Sequence, residues 1–294
     1  MPRPDLDALN KRVDHDRAAI DTAMTTQETP DGSTIRIARI GTGPTVVCLP
    51  MITELNFVYL PQVQALSDQY EFVIYEPRLS RTHRVSAADR ARELRTVIDT
   101  VGAESAHLLA WSDAGSAAYL ACRWWPERIR SAVFLGLADH YTFPQPIQML
   151  THALDRFPIE KAFPPPVLGR LISHYLGGSK IPPRWVYSET RRIPQLRQLF
   201  KYSVLPCFRD HQPDSEPFPV PALLIGGDKD ALVTPAQMRN MARLLNPDRE
   251  AVIVPGGEHI LGYATPEPVN DAVRDFYNVV DARASRTQER HDHP

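Results

Sequence analysis

The chain has 294 residues, 43% of them hydrophobic and 23% charged, with a formal net charge of -2. That length suits one large domain with an insertion or two small domains, and the composition excludes extended disorder across the body. The near-neutral balance excludes a charge-driven bias towards nucleic acid or anionic membrane, and no run reaches the roughly 18 apolar residues that a membrane helix needs. Met1-Pro2-Arg3-Pro4-Asp5 lacks the apolar core of a signal peptide. Cys48, Cys122 and Cys207 are odd in number and widely spaced, as reduced buried thiols are, so a cytoplasmic setting is expected.

Taken in chain order, Leu6 to Ile20 has apolar positions at helical spacing among many charges, and predicts a peripheral helix or arm. Pro30-Asp31-Gly32 marks a turn, and Thr34 to Ile40 alternates with period two, which predicts a hairpin. Thr45-Val46-Val47-Cys48-Leu49 is a continuous apolar run, as in a strand buried on both faces. A helical stretch around Val63 to Ser67, a second apolar strand at Glu71 to Tyr75 and a helix from Ser86 to Val101 follow. Beyond them come the strand Ala106 to Leu109, a helix from Ser116 and the strand Ser131 to Leu135. Such alternation predicts a parallel sheet with helices on both sides.

From Asp139 to about Pro219 prolines crowd in, short helical pieces replace strands, and the alternation resumes at Ala222 to Gly226. A helix near Pro235 to Leu245, the strand Ala251 to Val254 and a last helix from about Glu267 to Val280 complete the pattern. The expected organisation is a helical arm over residues 1–21, an α/β core over 22–138 and 220–282, a helical cap over 139–219 and a mobile tail over 283–294.

Ala110-Trp111-Ser112-Asp113-Ala114-Gly115 sets a serine between small residues where an apolar strand gives way to a helix. A tight turn there holds the serine in a strained backbone conformation with its hydroxyl clear of the sheet, which marks Ser112 as a candidate nucleophile. The plain alternative for such a serine is a helix N-cap.

With a serine elbow, a helical insertion, an acidic loop and a late histidine in that order, the chain resembles the α/β-hydrolase superfamily from about Thr22 to Val280. Gly226-Gly227-Asp228-Lys229-Asp230 and the residues on to Pro235 are similar to the loop that carries the acid. Asp230 fits the acid position better than Asp228, and Asp139, just after the Val133 strand, is a further candidate. Val254-Pro255-Gly256-Gly257-Glu258-His259 is similar to the loop that presents the histidine. The resemblance implies a mostly parallel sheet flanked by helices and a catalytic triad of Ser112, Asp230 and His259. It also implies an oxyanion hole from the backbone N–H groups of Ile52 and Asp113. In that chemistry His259 removes the serine proton, Asp230 orients the imidazole, and the two N–H donors receive the developing negative charge.

Where family members commonly carry His-Gly, this chain has Leu49-Pro50-Met51-Ile52. Asp113 is read as an acid favoured at a helix start, with recognition of a substrate amine as the alternative. Met51, Trp111, Tyr141 and Trp185 are candidate substrate contacts, and the cap aromatics favour an apolar or aromatic substrate. The expected activity is serine hydrolysis of an ester, thioester or activated C–C bond in a small molecule. The alternative is a non-hydrolytic enzyme of the same fold, such as a cyclase, condensing enzyme or lyase. No P-loop, dinucleotide fingerprint or Cys/His metal spacing occurs, so no cofactor, metal, nucleic-acid partner or membrane partner is expected. The oligomeric state is not encoded in any motif.

Overall fold

A computed structural model describes residues 6–50, 53–141 and 200–292, with isolated positions between 142 and 199. The described part is built on one eight-stranded, mostly parallel sheet flanked by helices. Helix α1 (Leu6–Ala23) leads into β1 (Met24–Glu28) and β2 (Thr34–Ile40), the expected hairpin. Then come β3 (Thr45–Leu49), a 3-10 segment (Thr53–Tyr59), α2 (Leu60–Leu66), β4 (Glu71–Tyr75) and α3 (Ala87–Thr100). The centre is β5 (Ala106–Trp111), α4 (Ala114–Trp124) and β6 (Ile129–Leu135). Beyond the long segment after β6 follow α5 (Leu205–Asp210), β7 (Ala222–Gly227), α6 (Pro235–Leu245), β8 (Val252–Val254), α7 (Leu261–Ala264) and α8 (Pro266–Asp292). The sheet order is β1-β2-β4-β3-β5-β6-β7-β8, antiparallel only where β2 meets β1 and β4.

The continuous apolar runs become strands because both faces of the sheet are covered. Alternate residues divide between two cores. Cys48, Ile74, Leu109 and Val133 pack with α1, α2 and α8, while Val47, Val73, Leu108 and Ala132 pack with α3, α4 and α6. Helix α3 begins at a capping box in which Ser86 and Asp89 satisfy each other's backbone N–H groups. Helix α1 is docked: Val13, Asp16 and Ile20 form its buried stripe, and Asp16 accepts a 2.6 Å hydrogen bond from Tyr263 on α7.

The last helix departs from the sequence reading. Helix α8 runs on to Asp292, through residues expected to form a mobile tail. Residues 281–292 contain no glycine or proline and are rich in Ala, Arg, Gln and Glu, so the helix propagates without an apolar stripe. A buried polar clamp at the start of the strands anchors this helix. His107 lies 2.7 Å from Ser131 Oγ and 3.2 Å from Asp281, which also accepts from Tyr70 and Arg130. Burial lowers the His107 pKa, favouring the neutral ring that such a clamp uses.

A second histidine ties together the two ends of the segment between β6 and β7. His211 donates through Nε2 to the carbonyl of Ala138 at 2.7 Å, and burial pushes its pKa down to about 4. The folded chain therefore binds fewer protons than the unfolded chain between about pH 4 and the ordinary histidine value near 6.5. Stability is expected to be full above that window and to fall by up to about 3 kcal/mol as the pH drops through it. Urea unfolding at pH 7 and pH 4.5 checks this, and His211→Gln, which keeps a donor without a titrating group, should lose that part of the pH dependence.

Candidate active site

Three loops at the carboxyl ends of parallel strands meet above the sheet. Ser112 follows β5, Asp230 follows β7 and His259 follows β8. Ser112 is the one non-glycine residue with positive φ among the described residues, at 58°. This conformation costs a residue with a Cβ roughly 1–3 kcal/mol, and the surrounding contacts enforce it. The Ser112 N–H donates to the Leu135 carbonyl at 2.9 Å, and its carbonyl accepts from Gly115 at 2.9 Å. Ala110 and Ala114 are fully buried on either side, and a Cβ on Gly115 would lie 2.8 Å from Leu137. The turn is closely packed at Ala110, Ala114 and Gly115.

The Ser112 hydroxyl lies 2.9 Å from His259 Nε2, and His259 Nδ1 lies 2.8 Å from Asp230 Oδ2. The other Asp230 oxygen accepts from the N–H groups of Leu232 and Val233 at 2.8 and 2.9 Å. A carboxylate only accepts, so Nδ1 carries the imidazole proton and Nε2 is left to accept from Ser112. The side chains of His259 and Asp230 are 2% and 0% exposed, so the pair is shielded from water. Gly136, just past β6, lies beneath them: a Cβ there would sit 3.5 Å from Asp230 Oδ2 and from the His259 ring, and its φ of 65° suits glycine.

The other acid candidates are engaged elsewhere. Asp228 accepts from Gly256 N–H at 2.6 Å, stitching the acid loop to the histidine loop, and Asp139 accepts from Asn240 and from the N–H of His140. The same two loops approach so closely that a Cβ on Gly227 would lie 2.0 Å from the Gly257 carbonyl oxygen. Gly227, before the acid, and Gly257, before the histidine, are there for backbone contact.

Asp113 heads α4, makes no side-chain cap hydrogen bond, and is fully buried. Its carboxylate receives Arg90 Nη1 at 2.8 Å, so recognition of a substrate amine is replaced by an internal ion pair. Burial pushes the Asp113 carboxyl up to about 6, and Arg90 opposes that rise. Trp111 is buried beside the histidine loop. It is 2% exposed, its indole N–H donates to the His259 carbonyl at 2.8 Å, and its ring packs 5.5 Å from the His259 ring. It supports the histidine loop. Tyr141 packs edge-on against Phe208 at 4.7 Å. Met51, Ile52 and Trp185, and most of the cap over 139–219, lie outside the described residues.

Arg90 and Gly136 are absent from the sequence reading. Arg90 had a signal, since it lies four residues before Leu94 and seven before Val97, on the apolar stripe of α3. Among the described residues no group of three or more His, Cys, Asp or Glu side chains is placed to hold a metal ion.

A sequence model of the alpha/beta hydrolase family matches residues 50–272. Among curated proteins, the chain is 32% identical over 141 residues to the polyketide synthase ThaQ of Burkholderia thailandensis, covering 46% of this chain and only 7% of that protein. It is 24% identical to the uncharacterized carboxylesterase nap of Bacillus subtilis, over 80% of this chain and 79% of that one. Among solved structures, a thermophilic esterase from Thermogutta terrifontis superposes with a TM-score of 0.64 at 19% identity, covering 87% of this chain and 98% of that one.

Proposed function

The chain belongs to the alpha/beta hydrolase family, and from that premise we propose that it is a serine hydrolase whose nucleophile is Ser112. The observation that carries this reading is the unbroken hydrogen-bonded line from Ser112 through His259 to Asp230, with the serine held at a positive φ. The substrate class is an ester, thioester or activated C–C bond of a small, apolar or aromatic molecule. The carboxylesterase name of the Bacillus subtilis relative favours the ester.

Ser112 Oγ attacks the acyl carbonyl carbon as its proton passes to His259 Nε2, and the carbonyl electron pair moves onto oxygen. The backbone N–H groups of Asp113 and Ile52 are the proposed donors to that oxygen. The intermediate collapses, the leaving group takes the proton from His259, and the acyl group remains on Ser112. Water then attacks, giving its proton to His259, and release of the acid returns that proton to Ser112. Asp230 holds Nδ1–H throughout and stabilises the imidazolium. Residues 139–219 are proposed as a helical cap over this site.

One specific observation favours the second reading, a non-hydrolytic enzyme of the same fold: Leu49-Pro50-Met51-Ile52 stands where family members commonly have His-Gly. Treatment with a fluorophosphonate and mass spectrometry separates the cases. An adduct on Ser112, absent in Ser112→Ala, is the expected result, and folded protein that does not label would overturn the reading. Hydrolysis of p-nitrophenyl esters that disappears in both Ser112→Ala and His259→Ala favours hydrolysis. Labelling without turnover favours the second reading.

A further inference from the structure

We propose that Tyr263 and Asp16 are positioning residues through which helix α1 braces the turn that carries His259. This rests on Ser112 being the nucleophile and His259 its base. His259 sits in a tight turn, in which the Leu261 N–H donates to the Glu258 carbonyl at 3.0 Å, and α7 follows directly. Four residues of helix do not hold themselves, because nucleating a turn costs more than its hydrogen bonds return. The place of α7, and with it the end of the histidine loop, is therefore set by what packs against it.

Three anchors reach this stretch from other elements. Trp111 Nε1 donates to the His259 carbonyl at 2.8 Å, and Gln62 Nε2 on α2 donates to the Gly262 carbonyl at 2.7 Å. The third is Tyr263 itself. It is 2% exposed, its phenol donates to Asp16 Oδ2 on α1 at 2.6 Å, and its ring meets Phe57 edge to face at 5.1 Å. Arg12, one turn before Asp16, lies over the same ring at 4.5 Å and donates to the Tyr263 carbonyl at 3.4 Å. Helix α1 thus grips the ring, the hydroxyl and the backbone of one residue in α7.

Packing alone would be served by phenylalanine, since a buried hydroxyl costs stability unless it is hydrogen-bonded. The phenol adds direction: apolar contacts let a helix slide, whereas a short hydrogen bond fixes where it stops. That matters because His259 Nε2 must stay within 2.9 Å of the Ser112 hydroxyl. A displacement of about 1 Å in a reacting group can cost on the order of 100-fold in rate. Helix α1 lies ahead of residues 50–272, so the brace comes from outside the part that matches the family.

The test uses the full chain, p-nitrophenyl ester hydrolysis and the rate of fluorophosphonate labelling at Ser112, with folding checked by urea unfolding. Tyr263→Phe keeps the ring and loses the bond, and should fall about 5- to 30-fold in kcat and in labelling rate, with KM within about twofold. Asp16→Ala should fall as far. Asp16→Asn, whose carbonyl oxygen still accepts from the phenol, should stay within about twofold of wild type. Asp16→Ala/Tyr263→Phe should lose no more than the worse single variant, as the two ends of one bond do. Tyr70→Phe is the structural control: it removes the same kind of bond, the 3.0 Å contact with Asp281 at the start of the strands, and should leave kcat within about twofold. Wild-type kcat and labelling in folded Tyr263→Phe and Asp16→Ala, a loss confined to KM, a loss in Asp16→Asn as large as in Asp16→Ala, or an equal loss in Tyr70→Phe would overturn the proposal. Wild-type protein that fails to label at Ser112 defeats the nucleophile assignment itself, whereas a labelled wild type with unaffected variants defeats the brace alone.

Discussion

Ser112→Ala is expected to lower kcat for p-nitrophenyl ester hydrolysis by at least about 10,000-fold, with the fold intact. Ser112→Gly should be equally inactive, yet about 1 kcal/mol more stable than Ser112→Ala. Both variants lose the hydroxyl and its 2.9 Å contact with His259 Nε2, so that loss cancels in the comparison. What remains is the backbone, where φ is 58°. Alanine still carries a Cβ in the left-handed region, whereas glycine occupies it freely. The kinetic arm is read by steady-state assay and the stability arm by urea unfolding. A serine kept merely as a helix cap would predict retained activity; the kinetic arm separates the two readings, because glycine also outranks alanine at an N-cap. The N-cap alternative already lacks its bond, because the turn puts Asp113 at the cap position of α4, with no side-chain cap there.

The parts of this fold that could be read from residue order are those under the strongest physical constraint. Strands β3 to β6 are covered on both faces, and that burial writes uninterrupted runs such as Val46-Val47-Cys48-Leu49 into the chain. The three side chains that meet above the sheet were also readable, because each sits in a short glycine- or alanine-rich turn at the end of such a run. What escaped was long-range. Nothing near Arg90 in sequence announces Asp113, and within Asp89-Arg90-Ala91-Arg92 it resembles its exposed neighbour Arg92. The end of α8 escaped for the opposite reason. Residues 281–292 carry no apolar periodicity, only helix propensity. Asp113 illustrates a third limit: its place at the start of a helix was readable, but its partner depends on how α3 packs against α4.

Asp230→Asn is expected to lower kcat by about 1,000- to 10,000-fold, while Asp228→Asn and Asp139→Asn stay within about tenfold of wild type. The difference follows from which oxygen does what. Asp230 Oδ1 accepts from two backbone N–H groups, those of Leu232 and Val233. An asparagine must place its carbonyl oxygen there to keep both bonds, which turns its NH2 group towards His259 Nδ1. That nitrogen must then accept, the ring proton moves to Nε2, and the imidazole can no longer take the proton of Ser112. Binding should survive, so the loss is expected in kcat with KM little changed. At Asp228 the oxygen that accepts from Gly256 can remain a carbonyl oxygen in asparagine, and the stitch between the two loops is kept. Asp139 accepts from Asn240, which can turn its own amide to suit an asparagine partner. A larger loss in either of those variants than in Asp230→Asn would move the acid role to that residue.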